Sequence, residues 1–351
     1  MKVASKAILD VEALNMHFPV RKSSRKEKAS VVRAVDDLSF QVFEGETLGI
    51  VGESGCGKTT MGRCINRILH PTSGTINYRL ENGETVDLAK LTEKQLKPYR
   101  ADIRMIFQDP FSSLNPRKNV LDIVGECLSV NGIAKGDERT KLVAGLLEKV
   151  GLRPEYMRRY PHSFSGGERQ RIGIARAIAL NPRIIVADEA VSALDVSVQA
   201  QTLNLLNELK AELNLTYIFI SHDLSVVEYI CDRIAVMYVG KIIELASRDD
   251  LYSNPLHPYT ESLIAAAPVP DPSLRGKRGK IRLKGQVADP ANPPSGCYFH
   301  PRCQYVKDRC KSEEPKLNDA GNGHQVACHF AKELSLRNAF GEKNNSTESE
   351  K

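Results

Sequence analysis

Gly52-Glu53-Ser54-Gly55-Cys56-Gly57-Lys58-Thr59-Thr60 is the stretch that decides how this chain is read. It fits G-x-x-x-x-G-K-[ST], the pattern of a phosphate-binding loop. The apolar run Leu48-Gly49-Ile50-Val51 before it reads as a buried strand, and Met61 to Leu69 after it reads as a helix. Glycines let the backbone curl so that several N–H groups face one anion, and the helix N-terminus adds about half a positive charge there. Gly52, Ser54, Gly55, Cys56, Gly57 and Thr60 form the cradle. Lys58 is placed to reach the β- and γ-phosphates, and the Thr59 hydroxyl to ligate Mg²⁺.

Outward from the loop, 351 residues suffice for one large α/β domain with an appendage. Charged residues at 26% and hydrophobic residues at 41% are those of a soluble globular protein. No apolar run approaches the ~20 residues of a membrane helix. The start, Met1-Lys2-Val3-Ala4-Ser5-Lys6-Ala7, lacks the apolar core of a secretory signal. A cytosolic protein is expected, touching a membrane only peripherally or through a partner. The net charge of +6 is uneven, with one basic cluster at Arg21, Lys22, Arg25, Lys26 and Lys28 and another running from Arg275 to Lys284. No aromatic residues interleave them, so they read as solvated loops and no nucleic-acid partner is expected.

Along the chain, 8–14, 31–35 and 38–42 read as strands, and Glu44-Gly45-Glu46 as a tight turn into the strand before the loop. Phe18 lies at the edge of this region, where its ring could stack on a base. Glu81-Asn82-Gly83-Glu84 reads as a hairpin tip, and Ile103 to Phe107 as a second apolar strand ending at Gln108. From there to about Pro161 the pattern is helical, with Val120, Ile123, Val124 and Cys127 on one face and Leu142, Leu146, Leu147 and Val150 on another. Phe164-Ser165-Gly166-Gly167-Glu168 opens a helix with Ile172, Ala175 and Ile178 on one side. Its Ser-Gly-Gly start is a second anion-binding element, which suits a nucleotide held between two copies of the chain.

Ile184-Ile185-Val186-Ala187-Asp188-Glu189 is an apolar strand delivering two carboxylates to its C-terminal end, where α/β sheets bind ligands. Asp188 is expected to hold Mg²⁺ and Glu189 to polarise an attacking water. Asp195 leads into a helix with the stripe Leu203, Leu206, Leu209 and Leu213. A buried strand at 216–221 then ends at His222, placed for the γ-phosphate.

Together these elements resemble the nucleotide-binding subunit of an ABC transporter over roughly residues 8–265. Their order is phosphate loop, Gln108, signature 164–168, the 184–189 strand, Asp195 and His222. The resemblance implies a P-loop NTPase fold: a RecA-like core, an antiparallel β subdomain, and a helical subdomain at about 111–163 that grips a transmembrane partner. It implies that Phe18 stacks on adenine, and that Gln108 ligates the metal and links it to the membrane partner. Ser165, Gly166 and Gly167, with Asp195, would serve ATP bound on the opposite subunit of a head-to-tail dimer. Two positions depart from the family pattern: Glu168 replaces the usual Gln, and Ala190 the usual Pro. Glu168 puts a carboxylate near the signature loop, which works against γ-phosphate contact, but neither change removes a catalytic group.

The stretches 52–57, 107–116 and 192–197 are similar to oligopeptide/dipeptide importer ATPases, as are 254–260 and 267–270. The resemblance implies ATP hydrolysis driving peptide import, with nickel import as the alternative solute. The implied partners are a second ATPase subunit, a paralogue rather than a copy, two membrane permeases and an extracytoplasmic solute-binding protein. The location would be peripheral, on the cytoplasmic face of the inner membrane. Non-transport ABC ATPases usually carry two cassettes or a long coiled coil, and neither is found here. An inactive regulatory module is disfavoured by the intact Lys58, Asp188, Glu189 and His222.

Four of the eight cysteines, Cys297, Cys303, Cys310 and Cys328, crowd into a loop-rich carboxy-terminal extension expected at 266–331. In a cytosolic protein such crowding suggests a metal rather than disulfides. Four thiolates suit zinc or an iron–sulfur cluster. Gaps of five, six and seventeen residues match neither a zinc ribbon nor a ferredoxin run. Spacing alone leaves the metal open, with His300, His324 and His329 as rival ligands. Peptide-importer ATPases carry a similar Gly-Cys-Tyr-Phe-His-Pro-Arg-Cys segment, and that resemblance implies a [4Fe–4S] cluster. Residues 332–351 are polar and aperiodic and are expected to be disordered.

Overall fold

The structure, a computed structural model, describes residues 6–20, 31–267, 283, 285–339 and 341. Both basic clusters lie outside these residues. The strands in chain order are β1 (Ala7–Pro19), β2 (Val31–Phe43), β3 (Thr47–Val51), β4 (Ser73–Arg79), β5 (Thr85–Asp87) and β6 (Ile103–Ile106). They continue as β7 (Ile184–Asp188), β8 (Thr216–Ile220), β9 (Arg233–Tyr238), β10 (Lys241–Ser247), β11 (Asn318–Asp319) and β12 (Gln325–Val326). The chain divides into two compact units.

The first unit is built around Phe43–Thr47 and Leu91–Ile220. Its strands lie in the order β8-β7-β6, all parallel, in register Ile184↔Thr216 and Ile103↔Ile184. All five residues of β7 and of β8 are buried, which explains their near-continuous apolar sequence. Helices Val120–Val130 and Gly136–Lys149 form the expected helical region. Val143, Leu147 and Val150 make the inner face of the second helix, while Leu142 points outward. Leu147 and Val150 are on the face the sequence reading gave them, while Val143 takes the place expected of Leu142, because 143, 147 and 150 also satisfy helical spacing. Helices Gly166–Ile178 and Val196–Leu213 follow, with Ile172, Ala175 and Ile178 buried on the former and Leu203, Leu206 and Leu209 on the latter. Leu213 is only half-buried, in the last turn.

The second unit holds Ala7–Val42, Leu48–Lys90 and the described residues from Ser221 on. One of its sheets has the order β2-β1-β4-β5, with β1–β4 and β4–β5 antiparallel and the hairpin tip at 81–84 as expected. Residues 31–35 and 38–42 are one strand, not two. Asp37 takes a left-handed φ of 52° inside β2, and its neighbour Asp36 is held by Lys241, Arg33, His17 and Tyr298. Charges that read locally as a turn are thus offset by distant partners. The other strands run β11-β12-β10-β9-β3, with β3 parallel to β9 and the rest antiparallel.

The helix after the phosphate loop starts inside the motif, at Lys58, and stops at Ile65, before the expected Leu69. Arg67 has φ 52° and ends it. Residues 332–339 are not a disordered tail: Leu336 is 1% exposed, and the Ala339 N–H donates to the Tyr252 carbonyl at 2.8 Å. Residues 340 and 342–351 lie outside the described residues.

Candidate functional site

In the second unit, buried β3 feeds the phosphate loop directly into the helix Lys58–Ile65. The cradle is main chain. Gly57 has φ 105°, and a Cβ there would sit 2.0 Å from the Ala34 carbonyl oxygen. At Gly52 a Cβ would meet the Met237 carbonyl oxygen at 2.2 Å. Only glycine permits this path. Lys58 is 5% exposed, and its Nζ donates to the carbonyls of Gly52 (2.7 Å) and Glu53 (3.0 Å). A buried ammonium with carbonyl partners at a helix N-terminus is a site for an anion with several oxygens. Cys56 fills the space beneath as a neutral thiol, since burial pushes its pKa up. Ser54 and Gly55 are exposed at the rim, and Thr59 and Thr60 are half-buried on the first helical turn.

Two further expected residues lie in this unit. The Ser221 N–H donates to the Ile50 carbonyl at 3.1 Å, which anchors exposed His222 beside the strand that leads into the loop. Phe18 is 36% exposed near the end of β1.

In the first unit, β7 carries Asp188 to its carboxyl end, where the side chain is only 2% exposed. A buried carboxylate is a hard oxygen donor of the kind Mg²⁺ selects. Glu189 follows with φ 46°, and its N–H donates to the Ile220 carbonyl at 2.9 Å. Gln108 lies just past β6, and its Nε2 donates to Glu189 Oε2 at 2.8 Å. A carboxylate only accepts, so this bond leaves the Gln108 carbonyl oxygen for a cation.

The signature residues in this unit build a helix start. Ser165 Oγ accepts from the Glu168 N–H at 3.3 Å, while the Glu168 carboxylate accepts from the Ser165 N–H and Oγ, both at 2.9 Å. This is a closed capping box. The departure at 168 is therefore structurally conservative, because a Gln at the same helical position would cap equally well. A Cβ on Gly167 would come within 2.5 Å of Val198 Cγ1. Gly166 is the first residue of the helix and half-buried. Asp195 caps the helix Val196–Leu213: its carboxylate accepts from the Val198 N–H at 3.0 Å, the chief cause of its lowered pKa.

The cysteine extension belongs to the second unit. Cys297, Cys303, Cys310 and Cys328 line one small cavity with His257, His300 and His329. The Cys297 N–H donates to the Cys310 carbonyl at 2.8 Å, tying two of the cysteine segments together. Burial pushes the Cys297, Cys303 and Cys328 thiols up to about 11, and every pair among the four cysteines interacts electrostatically. Yet no three His, Cys, Asp or Glu side chains among the described residues converge on a single-ion site.

Of the rival histidines, His324 bonds Glu244 through Nε2 (2.7 Å) and lies outside the cavity, while His300 bonds the Cys297 carbonyl through Nδ1 (3.0 Å) and His329 the Glu313 carbonyl through Nε2 (2.9 Å), contacts that do not set aside the second ring nitrogen of either. Missed by sequence reading are Arg302, whose guanidinium forks onto Glu53, and Tyr259, whose hydroxyl accepts from the Glu53 N–H. The 254–260 motif signalled a subgroup but not this contact.

Comparisons with known proteins place the chain in a family. The ABC transporter family matches residues 35–192, and the "Oligopeptide/dipeptide transporter, C-terminal region" family matches 243–310. The chain is 51% identical to the oligopeptide transport ATP-binding protein AppF of Bacillus subtilis, over 92% of this chain and 97% of that one. It is 52% identical to a probable peptide ABC transporter ATP-binding protein of Sinorhizobium fredii, over 93% and 90%. Among solved structures it is similar to a dimeric ATP-binding cassette in a post-hydrolysis state with ADP and Pi (TM-score 0.59, 28% identity, 68% of this chain and 98% of that one). It is also similar to cbiO1 of Clostridium perfringens (TM-score 0.58, 28% identity, 70% and 90%). Among the described residues no helix is long and apolar enough to cross a membrane.

Proposed function

Because the chain belongs to the ABC transporter ATP-binding proteins, in their oligopeptide-transport group, we propose that it hydrolyses ATP to drive peptide import through separate membrane subunits. The observation that carries the catalytic part is the Gln108–Glu189 hydrogen bond at the end of a buried strand. It gives the carboxylate a fixed direction, which a general base toward water requires.

Phosphoryl transfer to water is mostly positioning and charge stabilisation. Lys58 and the loop amides hold the phosphates, and Phe18 takes the base. Thr59, Gln108 and Asp188 would hold Mg²⁺, which would supply positive charge against the phosphates. Glu189 orients the water and accepts its proton, and His222 reads the γ-phosphate. Ser165, Gly166, Gly167 and Asp195 are assigned to ATP held on a partner subunit. That partner is a paralogue, which makes the two ATP sites non-identical. The helical region grips one of two permeases, an extracytoplasmic binding protein selects the solute, and the chain sits peripherally on the cytoplasmic face of the membrane.

Cys297, Cys303, Cys310 and Cys328 are assigned to a [4Fe–4S] cluster that ties the extension together. Because the thiols must lose protons to bind metal, loading at pH 7 releases them. Anaerobic purification with visible absorption and metal analysis tests this, and one stoichiometric zinc without iron contradicts it.

The transport reading is tested by affinity purification from solubilised membranes. The expected result is co-purification with two permeases and a second ATPase, and uptake of labelled peptide by vesicles holding the complex. Uptake of nickel but not peptide would reassign the solute. A chain recovered without membrane partners would refute transport.

A further inference from the structure

We propose that Arg302, in the carboxy-terminal extension, is a positioning residue for the phosphate loop: it neutralises Glu53 and so lets the loop accept a polyanion. The proposal rests on the ATP reading of that loop.

A carboxylate is an awkward neighbour for a triphosphate, yet Glu53 is the second residue of the motif. Its charge is not left free. Arg302 donates through both terminal nitrogens, to Glu53 Oε2 at 2.6 Å and to Oε1 at 3.0 Å. The Arg302 side chain is 7% exposed and that of Glu53 27%, so the pair is largely out of water. In such a setting a forked guanidinium–carboxylate pair is geometrically specific, and a lysine cannot reproduce it.

The backbone of Glu53 is held as well. Its N–H donates to Tyr259 Oη at 2.9 Å, so this amide faces the helix Pro258–Ala266. Tyr259 is fully buried, packed edge-on against Tyr238 (4.8 Å) and Phe299 (5.4 Å). The Glu53 carbonyl accepts from Lys58 Nζ at 3.0 Å. Arg302, Glu53 and Lys58 thus form a continuous chain from the extension to the phosphate-binding ammonium. Phe299 lies three residues before Arg302, so one short segment supplies both the ring that packs on Tyr259 and the charge that faces Glu53.

Removing Arg302 leaves a carboxylate uncompensated beside the site for an anion. Removing both charges together does not. This separates a charge role from a merely structural one. The experiment is titration of the full-length, anaerobically purified chain with a fluorescent ATP analogue and Mg²⁺, with thermal unfolding followed in parallel. Arg302→Gln is expected to weaken binding about tenfold, a discounted value for a partly exposed pair. Glu53→Gln and the double variant Glu53→Gln/Arg302→Gln are expected to bind within about threefold of the unmodified chain. Arg302→Lys should fall between, and the Arg302→Gln defect should shrink at high salt as the repulsion is screened.

Unchanged affinity in Arg302→Gln would overturn the proposal. So would a double variant as weak as Arg302→Gln, which would assign Arg302 to folding of the extension alone. If the unmodified chain itself fails to bind the analogue, the ATP reading falls, and the proposal with it.

Discussion

In the first unit, Gln108, Asp188, Glu189, Ser165 and Asp195 present side chains set on strand ends and helix caps. In the second, the phosphate loop is main chain bent through conformations that exclude a side chain, as at Gly52 and Gly57. Side-chain chemistry can be deleted by an isosteric change that leaves the frame standing. A backbone cradle cannot, because its shape and its function are the same atoms.

The largest expected effect follows from the cradle. Gly57→Ala would place a methyl 2.0 Å from the Ala34 carbonyl oxygen at φ 105°. It should cost about 3 kcal/mol of stability, from backbone strain with a clash added. Nucleotide binding should vanish, as read by thermal unfolding and ATP-analogue titration. Normal binding and stability would show that the loop tolerates a Cβ and end the contrast.

Next in size is Glu189→Gln, which keeps shape and removes a base. Turnover in the assembled transporter should fall by about a thousandfold, within the range for losing general-base catalysis. ATP affinity and unfolding temperature should not move. A parallel loss of stability would mean that the Gln108–Glu189 bond serves the fold instead.

A third, smaller effect concerns the cysteine cavity, also built from side chains but inside the second unit. Cys328→Ser should abolish the visible absorption and most bound iron, and weaken ATP binding by no more than the roughly tenfold expected of Arg302→Gln, because Arg302 directly precedes Cys303 in the same extension. The smallest effect is at the signature. Glu168→Gln keeps the capping box and removes its charge. ATP-driven dimer closure should then need two- to threefold less ATP, about half a kcal/mol of relieved repulsion. No change would mean that the carboxylate is fully absorbed by the cap.

The same contrast explains what could be read from the chain. The phosphate loop, the 184–189 strand and the signature are contiguous, so their geometry is written in neighbouring residues. β2 was harder to see, because Asp36-Asp37 looks like a turn until Lys241 and Tyr298 arrive from more than 200 residues away. The cysteine cavity was half-legible: clustering pointed to a metal, but spacing could not set the histidines aside. Glu244 holds buried His324 away from the cavity, whereas His300 and His329 line it. Arg302 and Glu53 are 249 positions apart, and no local pattern marks them as partners. The carboxy-terminal residues 332–339 are polar in sequence yet anchored by Leu336 and Ala339, two small apolar contacts that composition hides.

ATP hydrolysis by this chain, measured alone and then in vesicles with its permeases, second ATPase and binding protein, with and without peptide, tests the central claim most directly. A phosphate loop that needs a partner's signature residues should turn over slowly alone. It should speed up by at least about tenfold on assembly with peptide, a coupling in the usual range for linked sites. A rate that is the same alone and assembled, and indifferent to peptide, would contradict it.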